Sequence, residues 1–361
     1  MSGPLSGLRV VELVGQGPGP YCAMLLADLG ADVVAVDRRS VANKVDQSTQ
    51  ARNSFMRGKR GVALDLKDAD DVEAMLSLLD QADAFIDPFR PGVCERLGIG
   101  PDVVMERNPR MIYGRMTGWG QDGPLAQVAG HDINYIAMSG ALSMIGYEGQ
   151  PPTFPINLLG DFAGGGLMLA MGIAAAAFER GSSGRGQVID AAMIDGAATV
   201  LGPFVAAGSG GGWGPRGTNH LDGAAPFYNV YETSDGEWIA LGAIEPQFHA
   251  ELYRLIELEA PSQWDKTAWP AEKHRLADLF VTRTREAWCD LLEGTEACFS
   301  PVLSPAEAAA HPHPAARGTF VENVGSLQAQ AAPRFSRTPG GAGVPTHPGS
   351  STTADVLAGW T

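Results

Sequence analysis

At 361 residues, 45% hydrophobic and 19% charged, the chain is long enough for one large domain or two ordinary ones, each with ample core. A net charge of −15 argues against wholesale nucleic-acid binding, and no apolar run long enough to span a bilayer is expected, so neither nucleic acid nor membrane is a foreseen partner. The N-terminus runs straight into a strand-like pattern, the ending L-A-G-W-T is no peroxisomal address, and Cys22, Cys94, Cys289 and Cys298 have neither metal-ligand nor disulfide-framework spacing; a cytoplasmic protein with reduced thiols is the expectation.

Residues 7–37 give a β-α-β pattern: G-L-R-V-V-E-L-V as a buried strand, G-Q-G-P-G-P as a turn, a helix stopped at Gly30, then A-D-V-V-A-V-D. Gly15, Gly17 and Gly19 followed by Asp37 resemble a dinucleotide fingerprint only imperfectly. Pro18 and Pro20 interrupt the loop and Asp37 precedes two arginines, so nicotinamide binding is the weaker reading. From Arg38 to Arg60 seven cations, Arg38, Arg39, Lys44, Arg52, Arg57, Lys59 and Arg60, face one acid, Asp46. Such concentration against the global sign suggests a phosphate-binding patch.

Residues 61–115 continue the alternation of strands and helices, which implies an α/β architecture with a parallel sheet covered on both faces. Ligands of such sheets bind beyond the carboxyl ends of the strands, where Arg38, the segment Leu64-Asp65-Leu66-Lys67, and Pro88-Phe89-Arg90 are predicted to lie.

Next come M-T-G-W-G-Q-D-G-P, A-G-H-D-I-N-Y and N-L-L-G-D-F-A-G-G-G. His131 and Asp161 are proton carriers set beside glycine, where backbone can approach a ligand closely. Asp161 stands where a helix should begin, able to cap it or to leave its N–H groups free for an enolate oxygen. Met138, Met144, Met168, Met171 and Met193 surround these motifs in sequence, either as core or as a soft surface for an acyl chain.

Four segments are expected: a Rossmann-like domain over 1–200, a flexible glycine-rich crossing over 201–221, a smaller α+β domain over 222–310, and a C-terminal segment, 311–361, returning to the large domain. The pair His311 and His313 in H-P-H-P is read as exposed loop, not metal ligands.

At G-W-G-Q-D-G-P, G-H-D-I-N-Y and G-D-F-A-G-G-G, and again at F-R-P-G-V, G-A-I-E-P-Q-F and A-P-R-F-S-R-T, the chain resembles the family III CoA-transferases, and among them the acyl-CoA racemases. That resemblance implies an interlocked homodimer acting on an acyl-CoA thioester, with no metal or nicotinamide and CoA present only as part of the substrate. It implies His131 and Asp161 as acid/base pair, and Glu245 orienting the histidine across the subunit boundary. It also implies thioester contacts from Arg38, Arg52, Leu64, Asp65, Leu66, Lys67, Pro88, Phe89, Arg90, Gly130, Asp132, Ile133, Asn134 and Tyr135. The reaction implied inverts the α-centre of a 2-methylacyl-CoA by 1,1-proton transfer; the rival within the family is acyl transfer with Asp161 as nucleophile.

Overall fold

The computed structural model describes residues 3–42 and 53–360. Two compact units divide the chain: Met1–Ser139 with Pro155–Leu201 and Ala315–Thr361, and Gly140–Phe154 with Gly202–Pro314.

The first unit is built on six parallel strands, β1 (Arg9–Leu13), β2 (Asp32–Arg38), β3 (Lys59–Leu64), β4 (Ala84–Asp87), β5 (Ile112–Thr117) and β6 (Gln187–Ala192), in the order β3-β2-β1-β4-β5-β6. Val10, Val11, Val33, Val34, Phe85, Ile86 and Ile112 have no exposed surface, as expected of β-branched and aromatic runs covered on both faces. One face carries α1 (Pro18–Asp28) and the long helix Leu158–Ser183; on the other, α2 (Ala69–Gln81) and the terminal helix Thr353–Trp360 close the core. Strand order reverses between β1 and β4, so the crevice beyond their carboxyl ends is where such a sheet takes a ligand.

Leu158–Ser183 corrects one expectation. Its 26 residues are long and apolar enough, by length and composition alone, to cross a membrane. Here Leu169, Ala170, Ile173 and Ala176 are buried against the sheet, with Leu169 lying over Gly114 of β5. Its first ten residues, Leu158–Leu167, are π-helical, a widened turn pattern that recurs at functional sites.

The second unit holds an antiparallel sheet of β7 (Tyr228–Glu232), β8 (Trp238–Gly242) and β9 (Phe299–Pro301), with helices Pro246–Leu255, Trp269–Phe280 and Arg285–Leu292 packed on it. The segment 140–154 groups with this unit rather than with the Rossmann-like one: Arg216 donates to the carbonyls of Ser143 at 2.8 Å and Gln150 at 2.7 Å. The glycine-rich crossing is also more ordered than its composition suggests. Residues 202–209 are the end of helix Met193–Ser209. Farther on, Asn219 accepts from Gly214 N–H at 2.6 Å, and Asp222 accepts from Gly217 N–H at 2.8 Å and Asn219 N–H at 2.9 Å. Side chains able to bond nearby backbone hold a glycine loop in one shape.

Candidate active site

A cavity of about 410 Å³ opens at the reversal of strand order. Its walls come from the loop after β1 (Gln16, Gly17, Pro18), the loop after β4 (Pro88, Phe89, Arg90) and the end of β5 with its following turn (Met116 to Trp119). Gly130, His131, Tyr135, Asp161 and Met193 complete it. His131 and Asp161, thirty residues apart in sequence, thus line one space.

Local chemistry explains each placement. Asp87 Oδ1 accepts from Phe89 N–H at 2.9 Å, turning the chain back after β4 so that Pro88 meets Gly15; a methyl at Gly15 would come within 2.7 Å of the proline ring. Gly17, with φ +66°, ends the β1 loop in the left-handed region, and a methyl there would come within 3.0 Å of Asp161 Oδ2. Tyr135 stacks edge-on to Trp119 with ring centroids 4.8 Å apart and donates its hydroxyl to the Gly130 carbonyl, fixing the turn that presents His131. His131 is the exposed N-cap of helix Asp132–Met138, and its N–H donates to Asn134 Oδ1 at 3.0 Å.

Asp161 is half-buried in the first turns of the π-helical segment, which begins at Leu158; the N-cap is Asn157, not Asp161 as expected. Asn157 Nδ2 donates to Asp161 Oδ2 at 3.0 Å. Burial pushes the Asp161 carboxyl above the ordinary carboxylate value; the Asn157 hydrogen bond opposes this, the Asp132 charge adds to it, and His131 lowers it. A carboxyl held high is better matched to proton exchange near neutrality.

Two expectations about backbone donors fail. The N–H groups of Gly160 and Asp161 are both engaged by Asp132 Oδ1, at 2.6 and 2.7 Å, and so are not open to an enolate. The glycines after Phe162 admit neighbouring helices rather than a substrate: methyls at Gly164, Gly165 and Gly166 would press on Ala197 N, Met193 and the Pro18 carbonyl, at 2.7, 2.9 and 2.7 Å.

The remaining assignments divide. Pro88, Phe89, Arg90, Gly130 and Tyr135 line the cavity. Asp132 and Asn134 turn their side chains to backbone N–H groups instead, and Ile133 is exposed outside the cavity lining. Leu64 and Leu66 pack into the core, while Asp65 shapes the turn into α2, accepting from Lys67 N–H at 3.2 Å. Arg38 and Lys67 are exposed at the ends of β2 and β3, away from the lining residues. Arg52 lies outside the described residues, as does Lys44. Glu245 belongs to the second unit, where it is the exposed N-cap of helix Pro246–Leu255. Of the methionines, Met193 lines the cavity and Met138 and Met171 are each 62% exposed; Met144 is in the second unit, so the five do not share one surface. Sequence reasoning missed Gln16, Met116 and Trp119 as wall residues, and Asn157 as the partner of Asp161; their signal is proximity to M-T-G-W-G and G-Q-G-P-G-P.

The predicted basic patch largely dissolves into ion pairs. Lys59 Nζ lies 2.6 Å from Glu12, Arg57 2.5 Å from Asp28, Arg60 2.7 Å from Asp32 and Arg39 2.6 Å from Asp71. Lys59 and Arg57 are buried. Arg38 is left as the exposed cation of the run for which the described residues show no ion pair.

The model of CoA-transferase family III matches residues 5–349, and the chain belongs to that family. It is 47% identical to the α-methylacyl-CoA racemase of Mus musculus over 93% of its own length and 87% of the relative's, and 45% identical to that of Homo sapiens over 93% and 90%. It is 31% identical to an acetyl-CoA:oxalate CoA-transferase of Acetobacter aceti, over 90% of its own length and 87% of that enzyme's. Among solved structures, a CaiB/BaiF family protein from Brucella suis superposes with a TM-score of 0.83 at 24% identity, covering all of both chains, which speaks to fold. A hypothetical protein from Mycobacterium tuberculosis superposes at 0.79 with 26% identity, covering 100% of this chain and 99% of that one.

Proposed function

We propose that this chain is an α-methylacyl-CoA racemase, interconverting the (2R) and (2S) epimers of a 2-methylacyl-CoA thioester. The observation that carries the reading is that His131 and Asp161 line one cavity, in a chain nearly half identical to two racemases. The thioester carbonyl acidifies the α-proton, one of the two groups removes it to leave an enolate, and the other returns a proton to the opposite face. Two carriers in one space suit inversion. A nucleophilic carboxylate, as in the transferase alternative, needs no such partner base. The chemistry requires no metal and no nicotinamide.

Glu245 enters this reading as a residue of a second copy. It is exposed, and the first unit also exposes large apolar side chains, Met171 at 62% and Phe178 at 86%, which a second copy would cover. Sedimentation of the purified chain as a dimer, and loss of activity in Glu245→Ala, would accord with that arrangement; a fully active monomer would exclude it.

The deciding experiment is incubation with a pure (2R)-2-methylacyl-CoA in D2O without an added acid. Deuterium at the α-carbon together with inversion is the expected result. Passage of CoA to an added carboxylate through a hydroxylamine-trappable adduct, without exchange, would instead make Asp161 a nucleophile.

A further inference from the structure

Asp132 is a buried acid that this proton transfer leaves without a role. It is the first residue of the helix that His131 caps, and it is 5% exposed. Its Oδ1 accepts from Gly160 N–H at 2.6 Å and Asp161 N–H at 2.7 Å, whereas Oδ2 is buried with no hydrogen-bond partner. The contact also dictates glycine at 160: a methyl there would stand 2.6 Å from Oδ1. No ion pair to Asp132 occurs among the described residues, so this carboxylate is held by backbone dipoles alone.

Building on the racemase reading, we propose that Asp132 is a positioning residue, a clamp that joins the His131 helix to the π-helical Asp161 segment and so fixes the separation of the two proton carriers. A second consequence is electrostatic. The groups facing Asp161 are Asn157, which donates to it, His131, whose charge favours the anion, Tyr135, and Asp132, whose like charge favours the protonated form. Removing the Asp132 charge therefore lowers the pH at which Asp161 ionises, because the anion loses a repelling neighbour.

The test measures kcat, KM and the pH profile of α-deuterium exchange for wild type, Asp132→Asn and Asp132→Ala. A clamp lost altogether in Asp132→Ala lowers kcat about 100-fold, the scale of an ångström of misplacement. Asp132→Asn, which retains an acceptor, recovers part of that rate while its acid limb moves to lower pH. A loss confined to KM, or an acid limb that does not move in Asp132→Asn, overturns the proposal, since a mere substrate contact or a mere fold-holding residue would behave so. Should Asp132→Asn fail to fold, Gly160→Ala displaces the same carboxylate with its charge kept: a fall in kcat without a downward shift sustains the clamp, and an unchanged kcat removes it. Wild-type protein that exchanges no deuterium sinks the racemase reading itself, a result distinct from any of these.

Discussion

The Rossmann-like unit buries acids in two places and treats them differently. On β1, Glu12 is fully buried but meets the Lys59 ammonium at 2.6 Å, and Lys59 also donates to the Pro20 carbonyl at 3.0 Å. Beside the cavity, Asp132 and Asp161 have backbone N–H groups and an asparagine amide for partners, and no cation pairs with them among the described residues. The first arrangement is closed: burial pushes Glu12 up and the lysine opposes it, leaving the carboxyl at about 7 with no route for a proton to reach a ligand. The second leaves the Asp161 carboxyl open to a cavity and raised in proton affinity. Buried charge alone marks neither function nor structure; what balances it does.

The sharpest break in that contrast comes from the open site. Asp161→Ala and His131→Ala should each lower epimerisation by about 10²–10⁴-fold, the usual contribution of a positioned acid or base, with melting temperature little changed; near-wild-type exchange would return Asp161 to a structural role. At the closed site the order of effects inverts. Lys59→Met strands Glu12 without its cation and should cost about 3–5 kcal/mol in urea unfolding, while KM for the thioester in the protein that remains folded stays near wild type. A stable variant with a strongly raised KM would restore Lys59 to the phosphate patch.

Smaller shifts refine the open side. Gly17→Ala forces a left-handed residue to carry a methyl 3.0 Å from Asp161 Oδ2, so kcat should fall more than stability does, read by comparing turnover with thermal melts. Asn157→Ala removes a donor that favours the ionised carboxyl. The acid limb of wild-type exchange should lie above the ordinary aspartate value, and in this variant it should move higher still; a downward movement would contradict the assignment. Arg38→Ala, at the exposed end of β2, should raise KM only a few-fold, since one solvent-exposed cation contributes about 1 kcal/mol or less.

What was legible in the sequence follows from the range of the forces involved. Strand and helix alternation is written in local periodicity, so a parallel sheet with its ligand beyond the carboxyl ends of the strands could be foreseen, but not the strand order that puts the reversal between β1 and β4. The hairpin that joins β7 to β8 turns at Asp235-Gly236, a pair whose turn chemistry is readable from the sequence alone. The basic run misled because the acids that neutralise Arg57, Lys59 and Arg60 stand 28 to 47 residues away in sequence, on β1, α1 and β2. The glycines after Phe162 misled for a related reason: a glycine that admits a helix and one that admits a ligand look alike until the helix is in place. Nor does periodicity announce that Leu158–Leu167 is π-helical, which is why Asp161 falls inside the element rather than at its cap.

The glycine loop after β1 has a consequence for what this fold can accept. In a dinucleotide-binding unit the start of the first helix is kept vacant for a pyrophosphate, whose negative charge the helix end welcomes. Here α1 begins at Pro18, two of its first three residues are prolines with no N–H to give, and the Asp161 carboxylate comes up against Gly17 at that same end. The chain thus supplies its own anion from another part of its sequence. A nucleotide phosphate brought to that point would meet a like charge and few donors, and the helix field that elsewhere holds a cofactor instead steadies the very carboxylate that is proposed to move the proton.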